Sequence, residues 1–524
     1  MPIKTTLNYS PNFSPKKRNI KQIKFIIFHY TGMKTELEAI NRLTKIQSEV
    51  SCHYLIKKNG EIITMVPISY IAWHAGKSSW KNYKLLNQNS FSHNSANMSF
   101  ERELDFKIGN SLFRRIWVSS PASTKSADGL GPLFNARSCQ NCHLKDGRGH
   151  SPSANWPVDG AVSMFLRLSI PPHTREHHRL ISENRIKNIP DPTYGSQLQD
   201  LSIQGHHAEG KVYIEYEEIE VIFSDGTVVS LRDPKYSIIS WKYGKPHEKL
   251  QFSPRVATPM IGLGMLGAIS ENDILNNADP EDKNNDRISG KANLVFDLQS
   301  QRVSLGRFGW KAGEPNIRQQ SSKAFNSDIG ISAPLANTPW GDCSINQKKC
   351  RNSPNGNTPS QNNLEISHEA MDKLVFYAKN LGVPARRDIE KSEVLAGKKL
   401  FYETGCVDCH SPKFVTKRIP EQPEQSFQLI WPYSDMLLHD MGEGLADQLT
   451  EGLADGSEWR TPPLWGIGLT QTVSGHTQFL HDGRARNLIE AILWHGGEAE
   501  LIKQKFIKFN SKMRSEILAF LNSL

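Results

Sequence analysis

The sequence lacks long apolar runs. Hydrophobic residues make up 38% of its 524 positions, the mean hydropathy is −0.49, and no stretch approaches the roughly 20 apolar residues that span a bilayer. We therefore expect no segment that crosses a membrane. A chain of this length exceeds what one hydrophobic core supports, so several domains are predicted.

The sequence also lacks a concentration of charge of one sign. Its 63 basic and 54 acidic residues give a net charge of +9 and are mixed along the chain. Without a long basic block or a stripe of cations interleaved with aromatics, nucleic-acid binding is not favoured. A diffuse positive surface instead favours an acidic redox partner or an anionic envelope surface.

Cysteine is scarce, with 7 residues, yet four of them form two copies of the pattern Cys-x-x-Cys-His, at 139–143 and 406–410. Random order would produce on the order of 0.003 copies of this pattern. In a c-type haem site the two sulfurs bond covalently to the porphyrin and the histidine binds the iron. The predicted haem-binding residues are Cys139, Cys142, His143, Cys406, Cys409 and His410, with His143 and His410 as iron ligands.

Two other chemistries use the same cysteine spacing. A thioredoxin-like dithiol should follow a strand, whereas residues 104–117 before the first motif have helical spacing of apolar side chains. Two Cys-x-x-Cys pairs could also combine in one four-cysteine zinc site. The haem interpretation is preferred over both alternatives.

Residues 1–90 form a different kind of segment. The run 23–28 predicts a strand that ends at His29, and 50–66 predicts a hairpin with Asn59-Gly60 in its turn. Together with Ser10–Phe13, His29–Gly32 and the segment Ala72–Gly76, which contains His74, this order resembles the zinc-dependent N-acetylmuramoyl-L-alanine amidase family. The resemblance implies that His29 corresponds to a zinc ligand.

The amidase pattern is incomplete. A hydrolytic zinc site needs three protein ligands and an activated water, and the glutamate and later ligands that the family supplies have no counterpart after Ser90. We expect a truncated fragment in which His29 is a vestigial ligand, so zinc binding and peptidoglycan hydrolysis are not expected. Residues 91–97 form the predicted junction.

An internal repeat surrounds the two haem motifs. Residues 108–113 match 396–401, and each segment precedes one Cys-x-x-Cys-His. The repeat predicts two cytochrome c-like domains, at 98–385 and 386–524, each with a leading helix that covers its haem. Between them, 212–229 predicts strands with a turn at Ser224-Asp225-Gly226. The predicted fold class is therefore multi-domain, with mainly α cytochrome c-like domains, an inserted β-containing segment and a truncated α/β amidase-like fragment at the amino terminus.

Several ordered segments from about residue 98 to 524 resemble the di-haem oxidoreductase family, which is similar to the di-haem cytochrome c peroxidases. These segments are Asp128–Asn135, Ala257–Gly264, Gly306–Ala312, Asp328–Gly330, Arg460–Trp465 and Phe479–Arg484. The resemblance implies electron transfer from a donor protein through the carboxyl-terminal haem to the amino-terminal haem, with a peroxide as candidate substrate. A pure electron carrier with two six-coordinate irons is the main alternative.

The sequence offers several candidates for the second axial ligand of each iron. Met441, with Met436 behind it, is the first candidate opposite His410. Opposite His143 the sequence gives no preference among the candidates His150, Met260 and Met265, and an iron without a sixth ligand is an equal alternative. No catalytic acid or base stands out.

Three further signals are secondary. The segment Asp282–Asp286 has alternating oxygen ligands, and the family implies calcium between the haems, but Arg287 replaces the usual glycine. Trp310 is either an electron relay or a packing residue. Cys343 and Cys350 are a candidate disulfide, which would suit an oxidising compartment.

The family implies a periplasmic location. The amino terminus nevertheless shows no secretory signal, because its lysines and arginine at 16–24 precede only the short apolar run 25–28.

Overall fold

The computed structural model describes residues 5–10, 13–14, 35–45, 48, 51–69, 71–72, 86–160 and 162–524. The chain divides into two units, one formed by residues 1–82 with 95–99 and the other by 83–94 with 100–524. The predicted strand at 23–28 and the histidines His29 and His74 lie outside the described residues.

The described residues of the first unit form a small mixed sheet, a separate pair of strands and one helix. Its elements are β1 (Thr5–Leu7), β2 (Phe13–Ser14), α1 (Glu36–Thr44), β3 (Tyr54–Ile56), β4 (Ile62–Thr64) and β5 (Ile71–Ala72). The three strands β1, β4 and β3 lie side by side in that order, and the antiparallel β3 and β4 pair confirms the predicted hairpin. Helix α1 begins with a capping box between Thr35 and Glu38. The two side chains accept hydrogen bonds from backbone N–H groups that have no partner within the helix.

The second unit contains both haem motifs and most of the regular structure. Its helices are α2 (Phe100–Arg114), α3 (Cys139–Cys142), α4 (Arg175–Ser182), α5 (Leu263–Gly267), α6 (Glu271–Leu275), α7 (Ile317–Ala324), α8 (Lys348–Arg351), α9 (His368–Asn380), α10 (Ser392–Thr404), α11 (Thr470–Ser474), α12 (Leu488–Leu493), α13 (Glu500–Ile507) and α14 (Ser511–Ser523). Among the described residues, no helix has the length and apolar character needed to cross a membrane.

The strands of this unit pair mainly in two-stranded antiparallel ribbons. They are β6 (Leu133–Phe134), β7 (Met164–Ser169), β8 (Leu201–Ser202), β9 (Lys211–Ile222), β10 (Val228–Ile239), β11 (Gln251–Val256), β12 (Leu294–Asp297), β13 (Arg302–Leu305), β14 (Phe414–Val415), β15 (Leu429–Ile430), β16 (Leu438–Asp440) and β17 (Glu458–Arg460). The long ribbon of β9 and β10 confirms the strands predicted at 212–229, and Gly226 supplies the positive φ of +81° in its turn.

The internal repeat is present in three dimensions as two crossed helix pairs. Helix α2 packs on α9 and helix α10 packs on α14. A Cβ atom on Gly109 would overlap the backbone of Lys373, and one on Gly397 would overlap the backbone of Glu516. Because only glycine permits such close approach, the same residue type sits at both crossings. The 385/386 domain boundary predicted from sequence falls in the loop between α9 and α10.

The repeat extends to two turns that sequence comparison did not match. Gly262 and Gly466 both have positive φ, and their N–H groups donate to the carbonyls of Leu381 and Leu524 at the ends of α9 and α14. Two further turns each close with a bridge across six residues, Phe308 to Glu314 and Phe479 to Ala485. Each of these is followed by an asparagine N-cap, Asn316 before α7 and Asn487 before α12.

The two halves exchange hydrogen bonds reciprocally. The Arg460 N–H donates to the Trp310 carbonyl at 2.9 Å, and the Val256 N–H donates to the His481 carbonyl at 2.7 Å. In the extended repeat Trp310 corresponds to His481, and Val256 corresponds to Arg460. Each half therefore binds the equivalent turn of the other, which places both haem motifs around a shared interior.

Candidate haem site

Both Cys-x-x-Cys-His motifs line one cavity of about 780 Å³. Its walls include every predicted haem-binding residue: Cys139, Cys142, His143, Cys406, Cys409 and His410. The cavity is lined mainly by apolar and aromatic side chains, as cofactor pockets usually are. The structure thus brings together two motifs that are far apart in the sequence.

The two motif histidines are oriented in the same way. The Nδ1 atom of His143 lies 2.7 Å from the Thr258 carbonyl oxygen, and Nδ1 of His410 lies 2.8 Å from the Tyr433 carbonyl oxygen. A carbonyl can only accept, so each Nδ1 carries the proton and each Nε2 keeps a free lone pair. The hydrogen bond at Nδ1 fixes both the tautomer and the direction of the ring, as it does in histidines that bind a metal through Nε2.

The protonation state of these histidines also suits a metal ligand. Burial lowers the pKa of His143 to about 4 and that of His410 to about 4. Both rings are therefore neutral near pH 7, as iron ligation requires. Each ring packs near a phenylalanine of its leading helix, with Phe113 at 6.1 Å from His143 and Phe401 at 6.2 Å from His410 between ring centroids.

The motif cysteines do not have the character of reactive thiolates. Burial raises the pKa of Cys139 to about 12 and that of Cys406 to about 12, whereas a redox-active cysteine has a lowered pKa and an accessible thiolate. All four motif cysteines are free. Among the described residues, no group of three or more His, Cys, Asp and Glu side chains is arranged to hold a metal ion, so the four cysteines do not converge on a zinc site.

The charge of the cavity wall fits a haem. Its cations are Arg148, Arg167, Arg185, Lys187, Arg255, Arg307, Lys323, Arg460 and Lys503, and its carboxylates are Asp328, Asp342, Glu314 and Glu451. Each haem carries two propionates, and arginine forks are well suited to carboxylates. The excess of cations leaves charge to balance these groups.

The candidate sixth ligands lie in different parts of the structure, and only some of them line the large cavity. Met441 and Met260 both line the large cavity, which also contains the motif histidines. Met436, the second choice opposite His410, is 2% exposed and has a φ of +68°. His150 lines a neighbouring outer depression of about 370 Å³, and Met265 lies in α5. Met441 and Met260 are therefore the methionines to test first.

A wall of aromatic side chains between the motifs was only partly predicted. Trp310 lines the cavity and donates its indole N–H to the Val256 carbonyl at 2.9 Å. His481, which the sequence did not single out, is 3% exposed and stacks on Trp459 with ring centroids 3.9 Å apart. Its Nδ1 lies 3.0 Å from the Pro254 carbonyl, while Nε2 is buried without a protein partner.

A buried carboxylate also lies at this site. Asp328 lines the cavity and its Oδ1 accepts a hydrogen bond from Gln197 Nε2 at 2.8 Å. Burial raises its pKa above the ordinary value, and in its ionised form its charge raises the pKa of both Cys139 and Cys142. The segment that contains Asp328 was quoted for the family resemblance, but the residue itself was not predicted as functional.

Two secondary predictions can be located. Cys343 and Cys350 form a disulfide, as predicted. In the loop 282–286 the carboxylates of Asp282 and Asp286 accept hydrogen bonds from the N–H groups of Arg287 and Ile288. Calcium binding at that loop stays a prediction.

A family model described as "Di-haem oxidoreductase, putative peroxidase" matches residues 74–524. No curated protein matches. Among solved structures, hydrazine synthase of Kuenenia stuttgartiensis pressurized with xenon is 13% identical, with a TM-score of 0.24, and the alignment covers 68% of this chain and 90% of that chain. A likeness this low carries no functional argument.

Proposed function

The chain belongs to the di-haem oxidoreductase family, and from this premise we propose that it moves electrons between two covalently bound c-type haems and reduces a peroxide at one of them. The observation that carries the proposal is that both Cys-x-x-Cys-His motifs line one cavity, each with a neutral histidine whose Nδ1 is held by a backbone carbonyl. A bound haem would supply the redox chemistry.

In this proposal the protein's own groups would hold the haems, fill the space between them and donate a proton to the peroxide. His143 and His410 would present Nε2 to the irons, and the four motif thiols would anchor the porphyrins. Trp310 and His481 lie on the wall that both halves share, so they would form the medium between the two groups. We propose Asp328 as the proton donor for peroxide cleavage, because burial keeps its carboxyl protonated to higher pH and Oδ2 can carry the proton while Oδ1 accepts from Gln197.

The first experiment is a pyridine haemochrome spectrum and an intact mass of the chain expressed in a host that attaches c-type haem. Two added haem masses and a c-type spectrum are expected. A matched variant with Cys406→Ala and Cys409→Ala should retain one covalent haem. Bare thiols in the wild-type chain, under conditions where a control cytochrome is loaded, would contradict the proposal.

A second experiment separates the enzyme from a pure electron carrier. The reduced protein is mixed with hydrogen peroxide while the haem spectrum is recorded. A change in one haem with a saturable rate supports peroxide reduction. No spectral change would favour the carrier, in which Met260 and Met441 close both irons; Met260→Ala and Met441→Ala should then each give a five-coordinate spectrum.

We further propose that residues 1–90 contribute no hydrolytic activity and that the protein works in the periplasm. The incomplete amidase pattern supports the first point, and the Cys343–Cys350 disulfide supports an oxidising compartment. Muropeptide cleavage or bound zinc in the purified chain would overturn the first proposal. Recovery of the protein only in the cytoplasmic fraction would overturn the second.

A further inference from the structure

A cationic surface lies next to the first haem motif. Two outer depressions adjoin there, one lined by Lys107, Asn110, Ser111, Arg114 and Arg115, and the other by residues that include Arg114, Ile116, Asn141, Cys142, Leu144 and Arg148. Neither lining includes a carboxylate. We define the first-motif surface as Lys107, Arg114, Arg115, Ile116, Leu144 and Lys145.

Among the residues that the structure describes, none of these cations forms an ion pair with an acidic side chain, although Asp146 and Glu365 are close enough to Arg114 and Arg115 to interact through charge. Arg115 donates to the Ser126 carbonyl and Lys145 donates to the side-chain oxygen of Gln88. The carboxylates of helix α2, at 101–105, lie in its first two turns, whereas Lys107 and Arg114 follow toward its carboxyl end. The positive charge therefore remains available to an acidic partner.

The surface is close to the cofactor position. Cys142 lines both the large cavity and the outer depression, so this residue borders both the candidate haem site and the outer surface. Beside it, Ile116 is 62% exposed and Leu144 is 49% exposed. An apolar centre surrounded by cations, directly above a redox group, suits transient docking of a soluble redox protein.

The internal repeat supplies a matched comparison within the same chain. The positions that correspond to Lys107, Arg114 and Arg115 are Leu395, Tyr402 and Glu403, and Lys145 corresponds to Pro412. The second motif instead carries Lys398 and Lys399 together with Glu403 and Asp408, and Lys399 pairs with Glu403 at 3.6 Å. The four positions that are cations in the first half therefore hold no cation and one carboxylate in the second half, where the two nearby lysines are offset by Glu403 and Asp408.

We propose that an acidic electron-transfer protein docks on the first-motif surface and exchanges electrons with the first haem. The inference rests on the proposed function, since without a haem no electron exchange occurs there. It concerns electron exchange at the first haem, whereas the family resemblance implies that the donor reduces the carboxyl-terminal haem. An anionic membrane would also be attracted to cations, but it would not require them next to Cys142.

The test uses the haem-loaded chain and an acidic plant-type ferredoxin as the probe. The second-order rate of haem reduction is measured by stopped flow for the wild type, for Lys107→Glu with Arg114→Glu, and for the control Lys398→Glu with Lys399→Glu. Both double variants change the net charge equally, so a general charge effect cancels. We expect the first variant to lose about tenfold or more in rate and the control to change less than about twofold.

Ionic strength and calorimetry provide two further tests of docking. The wild-type rate should fall as ionic strength rises from about 0.01 to 0.15 M, because the Debye length falls from about 30 to 8 Å. Binding of ferredoxin to the chain by calorimetry is measured separately, and it should weaken only in the first variant even if haem loading fails. Equal effects of both variants, or faster reduction by a basic mitochondrial cytochrome c, would overturn the proposal. Binding to phosphatidylglycerol vesicles without ferredoxin binding would assign the surface to a membrane instead.

Failure of the proposed function has a different signature. If dithionite reduces no haem, because none is attached, the proposed function fails while calorimetry still reports on docking. If both haems are present and reduced by dithionite, but ferredoxin reduces the two double variants at equal rates, the docking proposal alone fails.

Discussion

Adding one methyl group at Gly397 should loosen the second haem site and leave the first intact. In Gly397→Ala the new Cβ would overlap the Glu516 carbonyl and lie 3.0 Å from the Phe520 Cβ. Alanine improves helix propensity by about 1 kcal/mol, but overpacking of this kind costs about 1–3 kcal/mol. Separating the helices to relieve the overlap would expose Phe401 and Phe520, which are 3% and 0% exposed, at about 1.5–3 kcal/mol each.

The overlap is with backbone atoms, which cannot rotate away, so we take the upper part of the overpacking range, about 2–3 kcal/mol. Subtracting the propensity gain of about 1 kcal/mol leaves a net destabilisation from Gly397→Ala of about 1–2 kcal/mol. For a domain of this size that corresponds to a fall in Tm of about 2–8 °C. The assay is thermal unfolding followed separately through the absorbance bands of the two haems. Gly109→Ala should produce the same fall in the band of the first haem, because its Cβ would overlap the backbone of Lys373.

The control is Gly267→Ala in α5, where the nearest atom to a new Cβ is Phe308 Cζ at 3.5 Å, an ordinary contact. It should leave both transitions within about 1 °C, or raise them slightly. If Gly397→Ala were as stable as the wild type, or if it shifted the first haem's transition as much as the second's, the assignment of α10 and α14 to the second site would be wrong.

Three other outcomes can be checked directly. Burial lowers the pKa of His481 to about 4, so between about pH 6.5 and 4 the unfolded state binds more protons than the folded state, and this residue should destabilise the protein as the pH falls through that window. In His481→Gln the free energy of unfolding, measured with urea, should depend on pH less steeply by up to about 1.4 kcal/mol per pH unit. An unchanged slope would contradict the neutral buried ring. Replacing Cys343 and Cys350 by serine opens a short loop and should cost about 2–3 kcal/mol, seen as a lower Tm that matches the wild type in reductant, whereas Cys52→Ser should have no such effect. Asp328→Asn should slow peroxide-dependent oxidation while leaving both haems attached and reducible by dithionite; an unchanged rate would remove Asp328 as the proton donor.

The local patterns of the sequence predicted much of the second unit. The Cys-x-x-Cys-His spacing is dictated by haem chemistry and is visible without any structure. The leading helices α2 and α10, the β9 and β10 ribbon and the hairpin of the first unit follow from periodicity and turn residues, which act over a few neighbours. The Cys343–Cys350 pair was also within reach, because only three cysteines lie outside the motifs.

Tertiary structure alone revealed how the two motifs are prepared to bind haem. The groups that hold the motif histidines are the backbone carbonyls of Thr258 and Tyr433, and every residue type has such a carbonyl, so the sequence contains no signal for them. The equivalence of Trp310 and His481 was hidden for a related reason: their backbones make the same turn while their side chains differ. His481 was therefore overlooked, and its unpartnered Nε2 became visible only in the folded chain.

The sequence by itself determined the two Cys-x-x-Cys-His motifs and the helical periodicity ahead of each, from which covalent attachment of two haems is predicted, because covalent spacing and helical periodicity are local properties. Only the tertiary structure decided that both motifs face one cavity and that a cationic surface adjoins the first motif. Those features depend on which segments meet in space, because the motifs at 139–143 and 406–410 are far apart in the sequence.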